Sequence, residues 1–181
     1  MKRDKETITL GSGNVYITEY TGTIPADSVI ETEENRIGYI KGGATLEYNQ
    51  ETYTTEDDLG FVKKTVTTKE DSVFKTGIMT WNGKTLEQLI ATARVTEEGT
   101  KRTIKIGGLK NDNHKYYVVR FLHKDSVDGN VRVTIIGKNT AGLSLAFVKD
   151  QETVVDAEFT AKPSDDEGTL IIMEEEIEET H

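Results

Sequence analysis

Apolar residues recur at every second position in several runs of this chain, often enough to decide its fold class. Val131, Val133 and Ile135 share one face of a segment whose other face carries Asn130, Arg132 and Thr134. Leu143, Leu145 and Phe147 repeat the pattern. So do Val155, Ala157, Phe159 and Ala161, against Glu152, Asp156 and Glu158. Successive side chains of a strand point to opposite faces, so each run predicts a strand with one buried face. In His114–Lys124, Tyr117, Val119 and Phe121 oppose Tyr116, Val118, Arg120 and Leu122, which predicts a strand covered on both sides. Asp128-Gly129 predicts a tight hairpin between that strand and Asn130–Ile136. Earlier strands are predicted at Thr7–Leu10, Asn14–Tyr20, Arg36–Tyr48, Thr65–Thr76 and Arg102–Ile106.

One segment leaves this rhythm. Leu86, Leu89, Ile90 and Ala93 fall at helical spacing, so a single short helix is predicted over Thr85–Ala93. Thr85 with Gln88 gives a capping-box pattern, and Arg94 complements the helix C-terminus. So short a helix must pack its stripe on the sheet to persist. Trp81, just upstream, is expected to anchor it to the core. The fold class is therefore mainly β: an antiparallel sandwich or barrel-like domain with one flanking α-helix. The reading takes residues 1–181 as one domain, with a mobile N-terminal arm at 1–6 and an acidic C-terminal end at 174–181. Three polar loops, Thr21–Asn35, Asn49–Lys64 and Gly107–Asn113, are expected to be mobile.

The net charge of −10 is unevenly spread. Eight carboxylates lie between Asp165 and Glu179, and no Lys or Arg follows Lys162, so the rest of the chain is close to neutral. An acidic end repels phosphate, which disfavours static binding of DNA or RNA. Without cysteine there are no disulfides or thiolate metal sites. No apolar signal core follows the charged start, and Leu170-Ile171-Ile172-Met173 is far too short to span a bilayer. The chain reads as soluble, made inside the cell, with no membrane anchoring.

No catalytic signature emerges. His114 and His123 stand nine apart on one predicted strand, which points them to opposite faces. His123-Lys124-Asp125 offers an oriented imidazole but no nucleophile motif near it. Asp57-Asp58 and Asp165-Asp166-Glu167 lack the ligand spacing of a calcium loop. Gly42-Gly43 and Gly107-Gly108 lack the pattern of a phosphate loop. The first pair instead predicts a bend within Arg36–Tyr48. That strand sets Ile40, Ala44, Leu46 and Tyr48 on one face and Ile37, Tyr39, Lys41, Thr45 and Glu47 on the other. The expectation is no enzyme, no cofactor and no metal.

Three passages carry a resemblance: Ile37-Gly38-Tyr39-Ile40-Lys41-Gly42-Gly43-Ala44-Thr45-Leu46-Glu47-Tyr48, Asp57-Asp58-Leu59-Gly60 and Gly77-Ile78-Met79-Thr80-Trp81-Asn82. Their order and wording resemble the major tail tube proteins of long-tailed bacteriophages; beyond Gly107 the likeness is of strand order only. The resemblance implies hexameric rings whose strands join into one inner barrel and whose stacks form the conduit for DNA ejection. It implies a virion tail location after assembly in the bacterial host cytoplasm. The implied partners are further copies of the chain, tape measure, tail terminator and distal tail proteins, and DNA in transit. Candidate contacts between subunits or rings are Tyr39, Lys41, Tyr53, Asp57, Asp58 and Phe61. Glu174, Glu176 and Glu178 share one face by the period of two and are lumen candidates. A β-sandwich module that binds carbohydrate or protein is the alternative.

Overall fold

The computed structural model describes residue 9 and residues 11–177. Strands make up 49% of the chain and helices 8%, so it is mainly β, as the alternation requires. In order, the elements are β1 (Asn14–Glu19), α1 (Asp27–Ile30), β2 (Arg36–Gly38), β3 (Ile40–Glu56) and β4 (Lys63–Ile78). There follow α2 (Gly83–Leu89), β5 (Arg94–Glu98), β6 (Lys101–Lys105) and a single 3-10 turn (Leu109–Asn111). The chain then forms β7 (Tyr117–His123), β8 (Val131–Asn139), β9 (Val155–Lys162) and β10 (Ile172–Glu175).

Eight strands form one antiparallel sheet in the order β2-β1-β7-β8-β9-β4-β3, with β10 beside β8. The two ends of that order, β2 and β3, are joined through Tyr39 alone. Consecutive Cα atoms are about 3.8 Å apart, so the sheet must curl until its first and last strands meet. This seam makes the domain barrel-like. Gly38 sits in it at φ 147°, where an added Cβ would stand 2.1 Å from the Thr80 carbonyl oxygen. Only glycine fits there.

The curled sheet encloses Val15, Ile17, Phe74, Ile78, Val119 and Phe159, and α2 closes it with Leu86 and Leu89. The predicted stripe is therefore the buried one, but its cap lies further upstream. Asn82 is the N-cap, its side chain accepting from the Lys84 and Thr85 amides at 2.8 and 3.2 Å. The Thr85 hydroxyl accepts from the Asn82 amide in return, so the box is Asn82 with Thr85 rather than Thr85 with Gln88. The helix stops at Leu89, and Arg94 opens β5 and donates to the Gly107 carbonyl instead of the helix end. Trp81 packs on the core and donates its indole N–H to the Thr153 carbonyl at 3.3 Å.

Four sequence expectations need correction. Arg36–Tyr48 is not one strand: it breaks at Tyr39, which turns Ile37 into the core. Gly42-Gly43 does form a bend, a two-residue bulge with both φ angles at 79°, between the Lys41↔Gly77 and Ala44↔Thr76 pairs. The 143–147 segment is not a strand. Asn139 and Thr140 bond Leu89, Ala141 and Glu158, which turns the chain off the sheet and leaves only Leu145 packed on the core. His114 lies before β7 at φ 53°, and buried His123 holds the Ser12 carbonyl at 2.9 Å, so Asp125 does not orient it. Finally, the Thr21–Asn35 loop is a fitted cover. It contains α1 and seats Ile30 against Tyr16, Val118 and Leu122, so β7 is covered on both sides as predicted. Of Thr7–Leu10 only Thr9 is described, outside any strand, and the N-terminal arm at 1–6 lies outside the described residues.

Candidate functional site

The feature that departs most from a self-contained barrel is the hairpin of β3 and β4. Its antiparallel pairing runs from Ile40↔Ile78 to Glu56↔Lys63, with register shifts between Lys41 and Ala44 and between Glu51 and Thr52. The inner half alternates between core and surface: Phe74, Thr76 and Ile78 are buried and Leu46 packs on the core. Beyond Tyr48↔Ser72 every residue of both strands from 49 to 70 is exposed. Seven pairs, from Gln50↔Glu70 to Glu56↔Lys63, therefore stand clear of the body as a two-stranded ribbon. At about 3.3 Å per residue the ribbon extends on the order of 20 Å. The predicted loop Asn49–Lys64 is thus mostly strand, and the true turn is residues 57–62.

A bulge at Thr68, where the partners shift from Glu51↔Lys69 to Thr52↔Thr67, gives the ribbon two unlike faces. Thr52, Thr54, Thr65 and Thr67 share one face, where the Thr54 and Thr65 hydroxyls are 2.9 Å apart. Tyr53 pairs with Val66 on the other, beyond the Glu51–Lys69 and Glu47–Lys75 ion pairs at 3.0 and 2.8 Å. The threonine hydroxyls and paired charges keep the ribbon soluble, while both of its backbone edges carry unpaired N–H and C=O groups.

The tip is built around Asp57. Its carboxylate accepts from the Leu59 and Val62 amides at 3.3 and 2.6 Å, and its carbonyl accepts from Gly60 at 2.9 Å. These amides, Val62 first, hold the Asp57 carboxyl below its ordinary value. Asp57, expected as a contact residue, spends its side chain on shaping the turn; Asp58 stays exposed. The turn thrusts Leu59, Phe61 and Val62 outward at 76%, 83% and 70% exposure. Tyr53, at 59%, adds to them. No core claims these side chains.

Tyr39 and Lys41 lie at the opposite end of β3. Tyr39 is half-exposed at the seam with the Arg36 guanidinium stacked 4.1 Å from its ring, and Lys41 pairs with Glu152. They do not meet Tyr53, Asp57, Asp58 and Phe61 within one chain; the length of β3 separates the two groups.

Glu174 and Glu176 share a face, as the period of two requires, but they meet arginines there. Buried Arg120 reaches Asp27, Glu31 at 3.4 Å and Glu174 at 3.4 Å, and bonds the Thr134 hydroxyl at 2.9 Å. Arg132 holds Glu31 at 2.6 Å and Glu176 at 3.0 Å. Four carboxylates thus surround two guanidiniums, tying α1 and β10 across β7 and β8. Glu178 lies outside the described residues. Sequence reading missed this cluster because its members come from four distant segments; the only signal was Arg120 on an otherwise apolar face.

The cluster sets an acid response. Arg132, then Asn130, holds the Glu176 carboxyl below its usual value of 4.5. A depressed folded-state value contributes stability above the unfolded value, and that contribution is lost as pH falls through the folded one. Asp57 and Asp165, the latter held down chiefly by the Thr169 amide, act in the same direction. Stability is therefore expected to hold near neutrality and to fall below about pH 4.5. Melting temperature followed from pH 7 to 3 checks this, and Glu176→Gln should flatten part of the fall.

Among the described residues no group of three His, Asp or Glu is placed to hold a metal ion. Nor is any helix among them long and apolar enough to cross a membrane. No family model matches this chain, and no curated protein matches its sequence. What the arrangement can do chemically is make contacts: a ribbon with open edges, an apolar tip, and a clefted seam at the far end.

Proposed function

We propose that this chain is a structural protein that assembles with copies of itself into stacked rings, forming a tube of the kind built by the major tail tube proteins of long-tailed phages. The observation that carries the reading is the β3–β4 ribbon. A two-stranded hairpin free in water is marginal at best. Seven exposed pairs ending in Leu59, Phe61 and Val62 make sense where other copies supply the missing contacts. Joining edges across subunits removes the aggregation hazard of a free edge, and ring closure ends the growth in one direction. Stacking leaves the other direction open.

The charge distribution supports passage of DNA rather than capture. Lys69 on the ribbon and Lys75 below its base are matched by Glu51 and Glu47, and the lumen candidates Glu174 and Glu176 are matched by arginines. Apart from Lys63 and Lys64 near the tip, paired charges and threonine hydroxyls leave the phosphate backbone little to grip on these surfaces. Tape measure, terminator and distal tail proteins are the partners this reading adds, and the virion tail is the location. The test is sizing of the purified chain over rising concentration, followed by negative-stain imaging. Rings or tubes of uniform width are expected. A chain that stays monomeric at every concentration overturns the reading and favours a binding module.

A further inference from the structure

Two elements lie against the barrel rather than in its wall, and both are fastened at one place. α1 covers the outer face of β1 and β7, and only Ile30 of its four residues is buried. Ile30 belongs to a small cluster with Tyr16, Val118 and Leu122, separate from the core that the sheet encloses. β10 pairs with β8 along Val131–Thr134, and none of its four residues is buried. A four-residue helix and a four-residue edge strand are each too short to persist alone, so something else must hold them down.

Charge does this for both. Glu31 of α1 lies 3.4 Å from Arg120 and 2.6 Å from Arg132, and Asp27, one turn earlier, also reaches both guanidiniums. From the other side Glu174 lies 3.4 Å from Arg120, and Glu176 3.0 Å from Arg132. Two elements from opposite ends of the sequence therefore share the same two cations. Arg120 is 4% exposed and Arg132 14%, so neither can exchange a lost carboxylate for bulk water while its cover stays in place. The other groups facing the cluster are the Asn130 amide, the Thr134 hydroxyl and the Tyr16 phenol, with Glu33 and Arg36 paired to each other at the end of the cover. Burial, then Glu31, pushes the Tyr16 phenol up, so it stays neutral in acid. Four carboxylates on two guanidiniums make the cluster acid-rich near neutrality. Protonation first removes that excess and then leaves Arg120 and Arg132 short of counter-charge.

We infer that α1 and β10 open together as one unit, latched by Arg120 and Arg132, and that acid releases this latch while the barrel stays closed. The barrel persists because its enclosed core draws on β1, β4, β7, β8, β9 and α2, with no residue of α1 or β10 among its buried members. Local opening of the least buried elements ahead of the core is how stability is ordinarily distributed in a domain. Release bares two surfaces at once: the outer face with Tyr16, Val118 and Leu122, and the edge of β8 at Val131–Thr134. An apolar face beside a free strand edge is a template for association, so the latch decides whether the body of the domain presents one. The device stands whatever the ribbon does.

Hydrogen exchange of the full chain, with rates corrected for the intrinsic effect of pH, tests it. The reporters are the Ile30 and Glu31 amides, bonded to Ala26 and Asp27, and the Glu176 amide, bonded to Asn130. Between pH 7 and about pH 3.5 all three should lose protection by about tenfold or more, while amides of the β4–β9 pairing, Phe74–Ile78 with Val155–Phe159, keep theirs. Loss in β4 and β9 at the same pH would mean global unfolding and overturn the local latch. Loss in α1 without β10, or the reverse, would overturn their coupling, and no loss in either would overturn the latch itself. A second measurement isolates the charge. Glu31→Gln, Glu174→Gln and Glu176→Gln in one chain leave Asp27 as the one carboxylate of the four against both guanidiniums. That variant should already show both elements open at pH 7 and change little on acidification, with the β4–β9 amides still protected. Full protection of α1 and β10 at pH 7 in this variant would show that packing, not ionisation, holds them.

Discussion

Replacing residues 51–69 with a two-residue Asn-Gly turn between Gln50 and Glu70 is expected to leave a folded monomer that no longer polymerises. Every residue removed is exposed, and none belongs to the core enclosed by the sheet. The remaining pairs, Ile40↔Ile78 to Gln50↔Glu70, keep the hairpin register, and Asn-Gly supplies the positive φ angles of a tight hairpin turn. Melting temperature should therefore move by no more than about 4 °C, equivalent to roughly 1 kcal/mol in a domain of this size. Assembly should be lost altogether, since the apolar tip and both free ribbon edges go together. Sedimentation velocity at the highest concentration that polymerises the unaltered chain gives the readout. Tubes of normal width from the shortened chain would remove the ribbon from the mechanism, while loss of folding would mean that the ribbon supports the body.

The β-rich fold was legible because its signal is local. Val155, Ala157 and Phe159 announce β9 by themselves, and all three are buried where the alternation put them. Leu86 and Leu89 likewise announce α2. What sequence pattern could not supply was the length of β3 and β4. Their outer halves are polar on both faces, with Thr52, Thr54, Thr65 and Thr67 on one and ion pairs on the other, so no apolar period marks them as strand. A ribbon that buries nothing within its own chain reads as a loop. The same reasoning explains the opposite error at Leu143, Leu145 and Phe147. The period is present, but Asn139 and Thr140 carry the chain off the sheet before any strand can pair with it.

The candidate site was half-legible for a related reason. Tyr53 and Phe61 stood out as apolar residues among charges, and the structure leaves both exposed. That they sit on one projecting ribbon, and that Tyr39 and Lys41 lie at the far end of the hairpin, depends on register and on the break at Tyr39. The acidic C-terminal stretch misled in a different way. Counting carboxylates from Asp165 onward suggested a bare negative stripe, yet β10 lays Glu174 and Glu176 beside arginines from β7 and β8. Charge counted along a sequence takes no account of partners more than forty residues away.

Those arginines set the second large effect. Arg120→Met should destabilise the domain by about 3–5 kcal/mol, lowering its melting temperature by about 10 °C. The guanidinium is buried between the sheet and α1, and it bridges Asp27, Glu31 and Glu174 while bonding Thr134. Methionine fills similar space but leaves the Thr134 hydroxyl without its partner and Glu31 facing Asp27 with only Arg132 between them. The cost is therefore that of stranded acids rather than of a lost contact. It should shrink when Glu31→Gln is added, because the amide needs no counter-charge. Thermal unfolding of the two variants and their combination measures this directly. If Arg120→Met alone costs less than about 1 kcal/mol, the cluster behaves as a solvated surface pair, and α1 and β10 are held by apolar packing and strand pairing instead.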